Sequence, residues 1–108
     1  MTSEKIVEVA TLYFALLYPE HQPVRFTEEI FHSVCEYSPD KKAEYLRHCC
    51  FIALEIPKFI ELGTPSKKEK ANRWLGWLQC ALAFTGTRSM AQCALDNAPE
   101  SSVYNRDE

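Results

Sequence analysis

The chain has 108 residues, of which 46% are hydrophobic, and a formal net charge of −3. This length suits one domain and is too short for two, and the hydrophobic fraction excludes a disordered chain. The acidic total gives no general attraction to nucleic acids or membrane surfaces. No secretion signal is recognisable and no stretch approaches the about 18 apolar residues of a membrane span, so we expect a cytoplasmic protein without a membrane partner. Its five cysteines are then reduced thiols.

The first part of the chain predicts three helices, over residues 4–18, 28–37 and 39–55. Each begins at a residue whose side chain can accept a backbone hydrogen bond: Ser3, Thr27 and Ser38. Pro19 ends the first helix, because the residue before a proline resists helical geometry. Pro57 is expected to kink or break the third helix, and Gly63 to close any turns that follow. The inward residues of the third helix would be Ala43, Leu46, Cys49, Cys50 and Ala53.

Residues 66–86 carry the clearest helix signal in the chain. Ser66, with Glu69 three residues later, has the spacing of a capping box, and Gly86 can adopt the left-handed conformation that closes a helix. One apolar face of the helix 66–85 consists of Ala71, Trp74, Leu75, Leu78, Ala81 and Leu82, and a second face of Trp77, Cys80 and Phe84. A helix with two apolar faces either lies at the centre of a bundle or gives one face to a partner. A glycine inside a helix costs about 1 kcal/mol, so Gly76 predicts another backbone close by.

The last part of the chain predicts a short helix and a tail. Ser89 and Gln92 repeat the capping-box spacing, which predicts a helix over residues 90–96. The residues expected to pack back from this helix are Met90, Cys93 and Ala94. Residues 98–108 have the composition of a frayed acidic tail. Because no segment alternates as a strand does, we expect an all-α fold, a compact bundle of four to five helices with short loops, forming a single domain over residues 1–97.

Histidines and cysteines are the first candidates for chemistry. His32 and Cys35 lie three residues apart on one predicted helix, and His48, Cys49 and Cys50 are consecutive on the next. A zinc site needs four such ligands converging in a tetrahedron, the paired C-x-x-C spacing is absent, and Cys49 and Cys50 also fit the apolar face. We therefore interpret these thiols as small buried hydrophobic groups, and we expect no metal and no cofactor.

Catalytic pairs receive little support from the sequence. A thiol nucleophile needs a base beside it, and neither Cys35 with His32 nor Cys80 with a distant histidine has a flanking motif. Glu29 and Glu44 precede a histidine by three and four residues, which is close to the spacing of ferritin-like di-metal sites. Such sites need more inward carboxylates than the apolar faces leave room for. We expect that the protein is not an enzyme and has no catalytic residues.

The start of the helix 66–85 is basic. Residues 64–88 hold five basic groups and one acid. Four of these basic groups precede the second tryptophan: Lys67, Lys68, Lys70 and Arg73. Helix-turn-helix proteins place DNA-reading residues at such a helix start, so a small DNA-binding regulator is one hypothesis. The overall acidic charge favours the simpler interpretation, which is a solvated helix start.

Arginine and aromatic residues recur along one side of the same helix. Arg73, Trp77, Cys80 and Phe84 are spaced three and four apart, and an exposed arginine–aromatic strip is typical of an interface anchor. Trp77 and Phe84 would equally complete a core, and the sequence leaves these two alternatives open. The candidate partner-binding surface consists of this strip together with Lys67, Lys68 and Lys70.

One pattern runs through residues 67–99. It consists of the run Glu69-Lys70-Ala71-Asn72-Arg73-Trp74-Leu75-Gly76-Trp77-Leu78-Gln79, then Gly86, Arg88-Ser89 and Asp96-Asn97-Ala98-Pro99. It resembles a C-terminal segment of small accessory proteins of tailed bacteriophages and prophages, in which R-W-L-G-aromatic-aliphatic-Q is followed by a glycine, a Ser or Thr cap and an N-x-P ending. Two positions depart from that segment, since Cys80 stands where it usually has glycine and Ala83 or a neighbour where it often has tryptophan.

The resemblance implies an origin rather than a reaction, and it transfers no catalytic residue to this chain. It implies a phage accessory protein acting inside a bacterium. Small non-catalytic phage proteins often bind a host machine such as a defence nuclease, a recombination nuclease or a CRISPR effector. Together with the two-faced helix, this leads us to expect a helical protein that binds and modulates, as an inhibitor, a host bacterial protein or protein complex.

Overall fold

The computed structural model describes residues 1–26 and 39–99. Within these ranges the chain forms four α-helices and no strand, which confirms the all-α fold. The helices are α1 (Ser3–Leu17), α2 (Lys42–Leu62), α3 (Pro65–Phe84) and α4 (Met90–Asn97), and a single 3-10 turn, Pro39–Lys41, precedes α2. The predicted helix over residues 28–37 lies outside the described residues, and so does most of the predicted tail.

The middle helix of the bundle is α2, which packs along α1 on one side and along α3 on the other. Its residues Cys49, Ala53 and Ile56 are almost completely buried between these neighbours. The core is completed by Ile6, Val9, Ala10, Tyr13 and Leu17 of α1 and by Ala71, Leu75, Leu78 and Leu82 of α3. The short helix α4 packs against both α1 and α3. The tryptophan-bearing helix α3 is therefore an outer helix with one buried face, and the centre of the bundle is α2.

The predicted inward faces of α2 and α4 hold with two exceptions. The buried residues of α2 and α4 include Leu46, Cys49, Cys50, Ala53 and Cys93, as predicted. Ala43 is exposed and Met90 is 58% exposed, so both predictions of inward packing are wrong. Each of these two residues lies in the first turn of its helix, beyond the part that the neighbouring helices cover.

Two helices begin earlier than the sequence predicts. The hydroxyl oxygen of Thr2, and not that of Ser3, accepts the capping hydrogen bond at the start of α1. At the start of α3 the cap is Thr64 and not Ser66. The reason for the second shift is Pro65, which has no N–H to satisfy and a fixed φ that suits the first helical position. The capping residue therefore lies directly before this proline.

Of the predicted kink or break at Pro57, the break is wrong, because the helix α2 continues through Pro57 to Leu62. A proline inside a helix costs about 3 kcal/mol, because one backbone hydrogen bond is lost and the ring crowds the preceding turn. Packing on both sides of the proline offsets this cost. Ile56 is fully buried in the core, and the Phe59 ring meets the Trp74 ring edge-on at a centroid distance of 4.8 Å. Gly63 closes the helix with a φ of 77°, as predicted.

The connection between α3 and α4 follows the predicted signals. Gly86 has a φ of 75°, and the Thr87 N–H donates to the Leu82 carbonyl at 2.8 Å, which is one of the two hydrogen bonds of a Schellman C-cap. Ser89 and Gln92 then form the complete capping box that their spacing predicts. This short connection returns the chain to the bundle, so that α4 can contact both α1 and α3.

Candidate functional site

An aromatic cluster lies between α2 and α3. The chain reaches it through the extended segment after α1, where the Val24 N–H donates to the Arg47 carbonyl at 3.2 Å. Two residues later, the Phe26 N–H donates to Nδ1 of His48 at 3.0 Å, and the two rings stack with their centroids 4.0 Å apart. The Trp77 ring meets the His48 ring edge-on at 5.3 Å. These contacts hold the half-buried Trp77 side chain in place against the core.

His48 is a neutral imidazole that gives this cluster a hydrogen-bond acceptor and a flat surface. Burial lowers its pKa to about 4, and the Arg25 guanidinium acts in the same direction. A neutral ring keeps Nδ1 unprotonated, as acceptance of the Phe26 N–H requires. The lone pair on this nitrogen is therefore already used within the fold.

The thiols that follow His48 are buried and protonated. Burial, with a further contribution from the neighbouring Cys50, raises the pKa of the Cys49 thiol to about 12, and burial also raises the pKa of Cys50. Thiols in this state are poor nucleophiles, because the thiolate is the reactive form. Across residues 1–26 and 39–99, no three His, Cys, Asp or Glu side chains converge as a metal site requires. The candidates His32 and Cys35 lie outside these ranges.

Beside the cluster, the surface between α2 and α3 forms a groove with a volume of about 320 Å³. The walls of this aromatic groove are Tyr45, Trp77, Cys80, Ala81 and Phe84. The rings of Tyr45 and Phe84 meet edge-on at 6.3 Å. Phe84 is 57% exposed, and Cys80 is exposed as well. Since the described walls carry only a phenol, an indole N–H and a thiol as polar groups, they offer apolar contact area rather than charge.

Toward the start of α3, the surface next to the aromatic groove becomes basic. The Lys70 ammonium lies 4.8 Å from the centroid of the Phe59 ring and 5.1 Å from that of Trp74. Cation–π contacts of this kind stabilise by about 0.5–1 kcal/mol at exposed sites. Arg73 lies 3.7 Å from Glu69, and their side chains are 66% and 73% exposed, so this ion pair contributes little. The basic charge of this region is therefore accessible to solvent.

The seven residues predicted to bind a partner lie at three places on the structure. The aromatic groove contains Trp77, Cys80 and Phe84. The basic region beside it contains Lys67, Lys70 and Arg73. Lys68 instead lines a second cleft, of about 560 Å³, between the start of α1 and the end of α4. The sequence leaves open whether Trp77 and Phe84 belong to the core or to the surface. Trp77 packs against the core, whereas Phe84 lies at the surface.

Gly76 is exposed midway along α3, and the backbone predicted to pass close to it is not found in the described part of the chain. A Cβ added at Gly76 would meet no atom of the described residues within 4 Å. Cys80, one turn further along, is exposed on the same side. The helix therefore presents two small residues to solvent directly beside the aromatic groove.

A polar network joins α1, α4 and the turn that leads into α4. The Arg88 guanidinium donates two hydrogen bonds of 2.7 Å to the Asp96 carboxylate, and the Tyr13 hydroxyl donates a third of 2.6 Å. Burial alone would raise the pKa of Asp96, but the hydrogen bonds from Arg88 and Tyr13 outweigh it and lower this pKa. Burial and the bond to Asp96 raise the pKa of the Tyr13 hydroxyl. Asp96 is therefore ionised at neutral pH, and Tyr13 is protonated.

Two amide side chains extend this network to α3. Nε2 of Gln79 donates to the Tyr13 hydroxyl at 3.0 Å and to Oδ1 of Asn97 at 2.7 Å. Nδ2 of Asn97 donates back to Oε1 of Gln79 at 3.1 Å. Among the residues that the structure describes, no buried side-chain nitrogen or oxygen lacks a partner. A network that is satisfied in this way stabilises one arrangement of the helices.

Sequence reasoning missed the polar network, although four of its five members stand within the pattern of residues 67–99. They are Gln79, Arg88, Asp96 and Asn97. The signal that could have identified it is Gln79, which lies one turn after Leu75 on the buried side of α3 and is only 8% exposed. A buried amide needs hydrogen-bond partners, and the nearest polar residues in the pattern are those of α4.

In comparisons with protein-family models, with curated proteins and with solved structures, nothing matches this chain. None of the helices in the described ranges combines the length and the apolar composition that crossing a membrane requires.

Proposed function

We propose that this chain is a non-enzymatic protein-binding module and that the aromatic groove is its docking surface. The observation that carries the proposal is the 57% exposure of Phe84 on a concave surface whose other walls include Tyr45 and Trp77. Large aromatic side chains in a concave surface are typical of interface hot spots. Arg73 and Lys70 at the edge supply the polar rim that interfaces usually have.

The titratable groups also support binding rather than catalysis. The groups with shifted pKa values are Tyr13, His48, Cys49, Cys50, Arg88, Cys93 and Asp96. None of these described groups lines the aromatic groove. Catalytic acids and bases are usually found where perturbed groups and a cleft coincide. In the described part of the chain they are separated, since the perturbed groups lie in the core or in the polar network and the groove is apolar.

The partner that we propose is a host bacterial protein or protein complex, and the proposed effect of binding is inhibition. The support is the resemblance of residues 67–99 to the segment of phage accessory proteins. A defence nuclease, a recombination nuclease and a CRISPR effector are the kinds of host machine that such proteins bind. The choice of partner rests on analogy with such phage proteins. The aromatic groove is the surface with which this chain would bind its partner.

Affinity purification from a bacterial lysate, followed by mass spectrometry, tests the proposal. The full chain is compared with Phe84→Ala as bait, and Leu16→Ala serves as the control because Leu16 is also a half-exposed apolar residue, on α1. We expect a stoichiometric partner with the unchanged chain and with Leu16→Ala, and its loss with Phe84→Ala. Recovery of no stoichiometric partner would count against the proposal, and so would equal recovery with all three baits.

A second candidate function is that of a small DNA-binding regulator using the basic start of α3. The observation in its favour is the exposure of Lys68 and Arg73 in this region. Lys67 and Lys70 lie over the Phe59 ring, which leaves fewer cations free to meet phosphates. Salt-dependent binding to duplex DNA would favour this candidate, and no binding at low salt would remove it.

A further inference from the structure

We propose that the partner occupies this surface as an amphipathic α-helix with carboxylates at one end, lying along α3 and crossing it at Gly76. The inference rests on the proposed protein-binding function, and it specifies the shape and the charge of what is bound. Three observations support it. They are the open space beside Gly76, the change of charge along α3, and the hydrogen bonding of the backbone within each of the two helices that form the groove walls.

The first observation is the space beside Gly76. A glycine in the middle of a helix lowers the stability of that helix, and no atom of the described chain uses the space that it leaves. Cys80, one turn further, is also small and exposed. The distance between two packed helices depends on the side chains at their contact, and small residues give the closest approach. The two positions together therefore suit a helix that comes from outside the described chain.

The second observation is the change of charge along this side of α3. Lys70 and Arg73 come first, and Trp77 and Phe84 follow at spacings that keep all four near one side of the helix. The acid among them, Glu69, makes only an exposed ion pair with Arg73. The strip from Lys70 to Phe84 is about 21 Å long, which matches about four turns of a partner helix. Carboxylates facing the two cations and apolar side chains facing the two aromatic residues would complement the strip.

The third observation concerns the backbone of the groove walls. Both walls are helices, α2 and α3, whose N–H and C=O groups pair along the helix. An extended peptide between them would find no backbone partner, whereas a helix satisfies its own backbone groups. Nucleic acid fits less well, because Lys70 and Arg73 are the two cations on this side and the rest of the strip is apolar.

The test uses the full chain and two synthetic helical peptides, each about 18 residues long. Both peptides carry the same leucine and phenylalanine face, and one has glutamates and the other lysines at the end that would face Lys70 and Arg73. Affinity is measured by tryptophan fluorescence, and the location of binding by the amide chemical shifts of Gly76 and Cys80. We expect the glutamate peptide to bind about tenfold tighter than the lysine peptide and to shift both amides.

Two sets of substitutions locate the crossing point and the charged end. Gly76→Leu fills the crossing point and should weaken binding of the glutamate peptide about tenfold or more without lowering Tm. Ala15→Leu, a similar enlargement at an exposed position of α1, is the matched control and should leave the affinity unchanged. Replacing Lys70 and Arg73 by glutamate should reverse the preference between the two peptides.

Equal affinity for the two peptides, unshifted Gly76 and Cys80 amides, or undiminished binding to Gly76→Leu would overturn the inference. A dimer that Gly76→Leu abolishes in sedimentation would also overturn it, because the occupant would then be a second copy. A short DNA duplex that shifts the same amides would do so as well. A lysate protein captured equally by Gly76→Leu and by the unchanged chain, but lost with Phe84→Ala, would reject the helix and keep the protein-binding function.

Discussion

The two sides of α3 differ in which side chains they cover. Polar side chains are enclosed on one side, and apolar side chains are exposed on the other. Toward α1 and α4, Gln79 joins Tyr13 and Asp96 in a partly buried network whose polar atoms are hydrogen-bonded to one another. On the side of the aromatic groove, Cys80 and Phe84 remain exposed. Satisfied polar networks specify a fold, whereas uncovered apolar surface marks a place where something binds. In this molecule the polar side chains of Tyr13, Gln79 and Asp96 hold the helices together, and the apolar side chain of Phe84 belongs to the candidate site.

Removing Asp96 should have the largest effect on the stability of the polar network. Asp96→Ala leaves the Arg88 guanidinium and the buried Tyr13 hydroxyl without their shared partner. Removing one member of a buried charged pair typically costs about 3–5 kcal/mol. We therefore expect the free energy of unfolding to fall by about 4 kcal/mol, measured by urea denaturation followed by circular dichroism.

The matched control is the exposed ion pair on α3. Glu69→Ala removes the carboxylate beside Arg73, and both of these side chains are largely exposed. The expected change in the free energy of unfolding is below about 0.5 kcal/mol. Similar losses for Asp96→Ala and Glu69→Ala would contradict the distinction between the buried network and the exposed surface.

Acid should destabilise the fold through His48. The pKa of this imidazole is about 4 in the folded chain, against an ordinary value of 6.5. Between these values the unfolded chain binds a proton that the folded chain does not, so stability falls as pH falls. We expect a loss of about 3 kcal/mol between pH 7 and pH 4 from this residue, measured by urea denaturation across that range.

A variant without this imidazole isolates its contribution. His48→Gln cannot titrate, so its stability should depend less on pH between 6.5 and 4 than that of the unchanged chain. Asp96 contributes in the same direction but at lower pH, because its own pKa is lowered from an ordinary value of 3.8. An unchanged slope in His48→Gln would show that the buried imidazole is not the cause.

Truncating the two aromatic residues of α3 separates core from surface. Trp77→Ala should destabilise the fold by about 2 kcal/mol, less than for a fully buried tryptophan, because Trp77 is half-buried. Phe84→Ala should cost below about 0.5 kcal/mol, since Phe84 is 57% exposed. Thermal melts of the two variants measure the difference. A large loss for Phe84→Ala would place this residue in the core and remove it from the docking surface.

The last expected effect has the opposite sign. Gly76→Ala should raise the free energy of unfolding by about 0.5–1 kcal/mol, because alanine favours the helix and its Cβ meets no atom of the described residues within 4 Å. Urea denaturation measures this change, with Ala15→Gly on α1 as the reverse exchange at an exposed helix position. A destabilised Gly76→Ala would mean that the space beside Gly76 is already occupied.

Most of the fold could be predicted because its signals are local. The pair Ser89 and Gln92, and the glycines Gly63 and Gly86, act within one turn of the chain, so spacing alone identifies them. Pro57 could not be interpreted in this way. Whether a helix continues through a proline depends on what its flanking turns pack against, and the burial of Ile56 involves helices that are distant in sequence.

The candidate site could be predicted only in part. Helical spacing placed Arg73, Trp77 and Phe84 along one side of a helix, but it could not show how far another element covers each of them. Phe26, from a separate segment, stacks on His48 beside Trp77 and leaves the end near Phe84 exposed. The polar network beyond Gln79 was out of reach for the same reason, since Tyr13 and Asp96 are 83 positions apart.

The exposure of Cys80 supplies a natural attachment point for a reporter. The other cysteines of the described ranges, Cys49, Cys50 and Cys93, are buried. A maleimide fluorophore should therefore label Cys80 ahead of these three, at the edge of the groove and without any substitution. Occupation of the groove would slow this labelling. In air the same thiol can link two chains, so a dimer seen on a gel without reductant would be an oxidation product rather than an assembly.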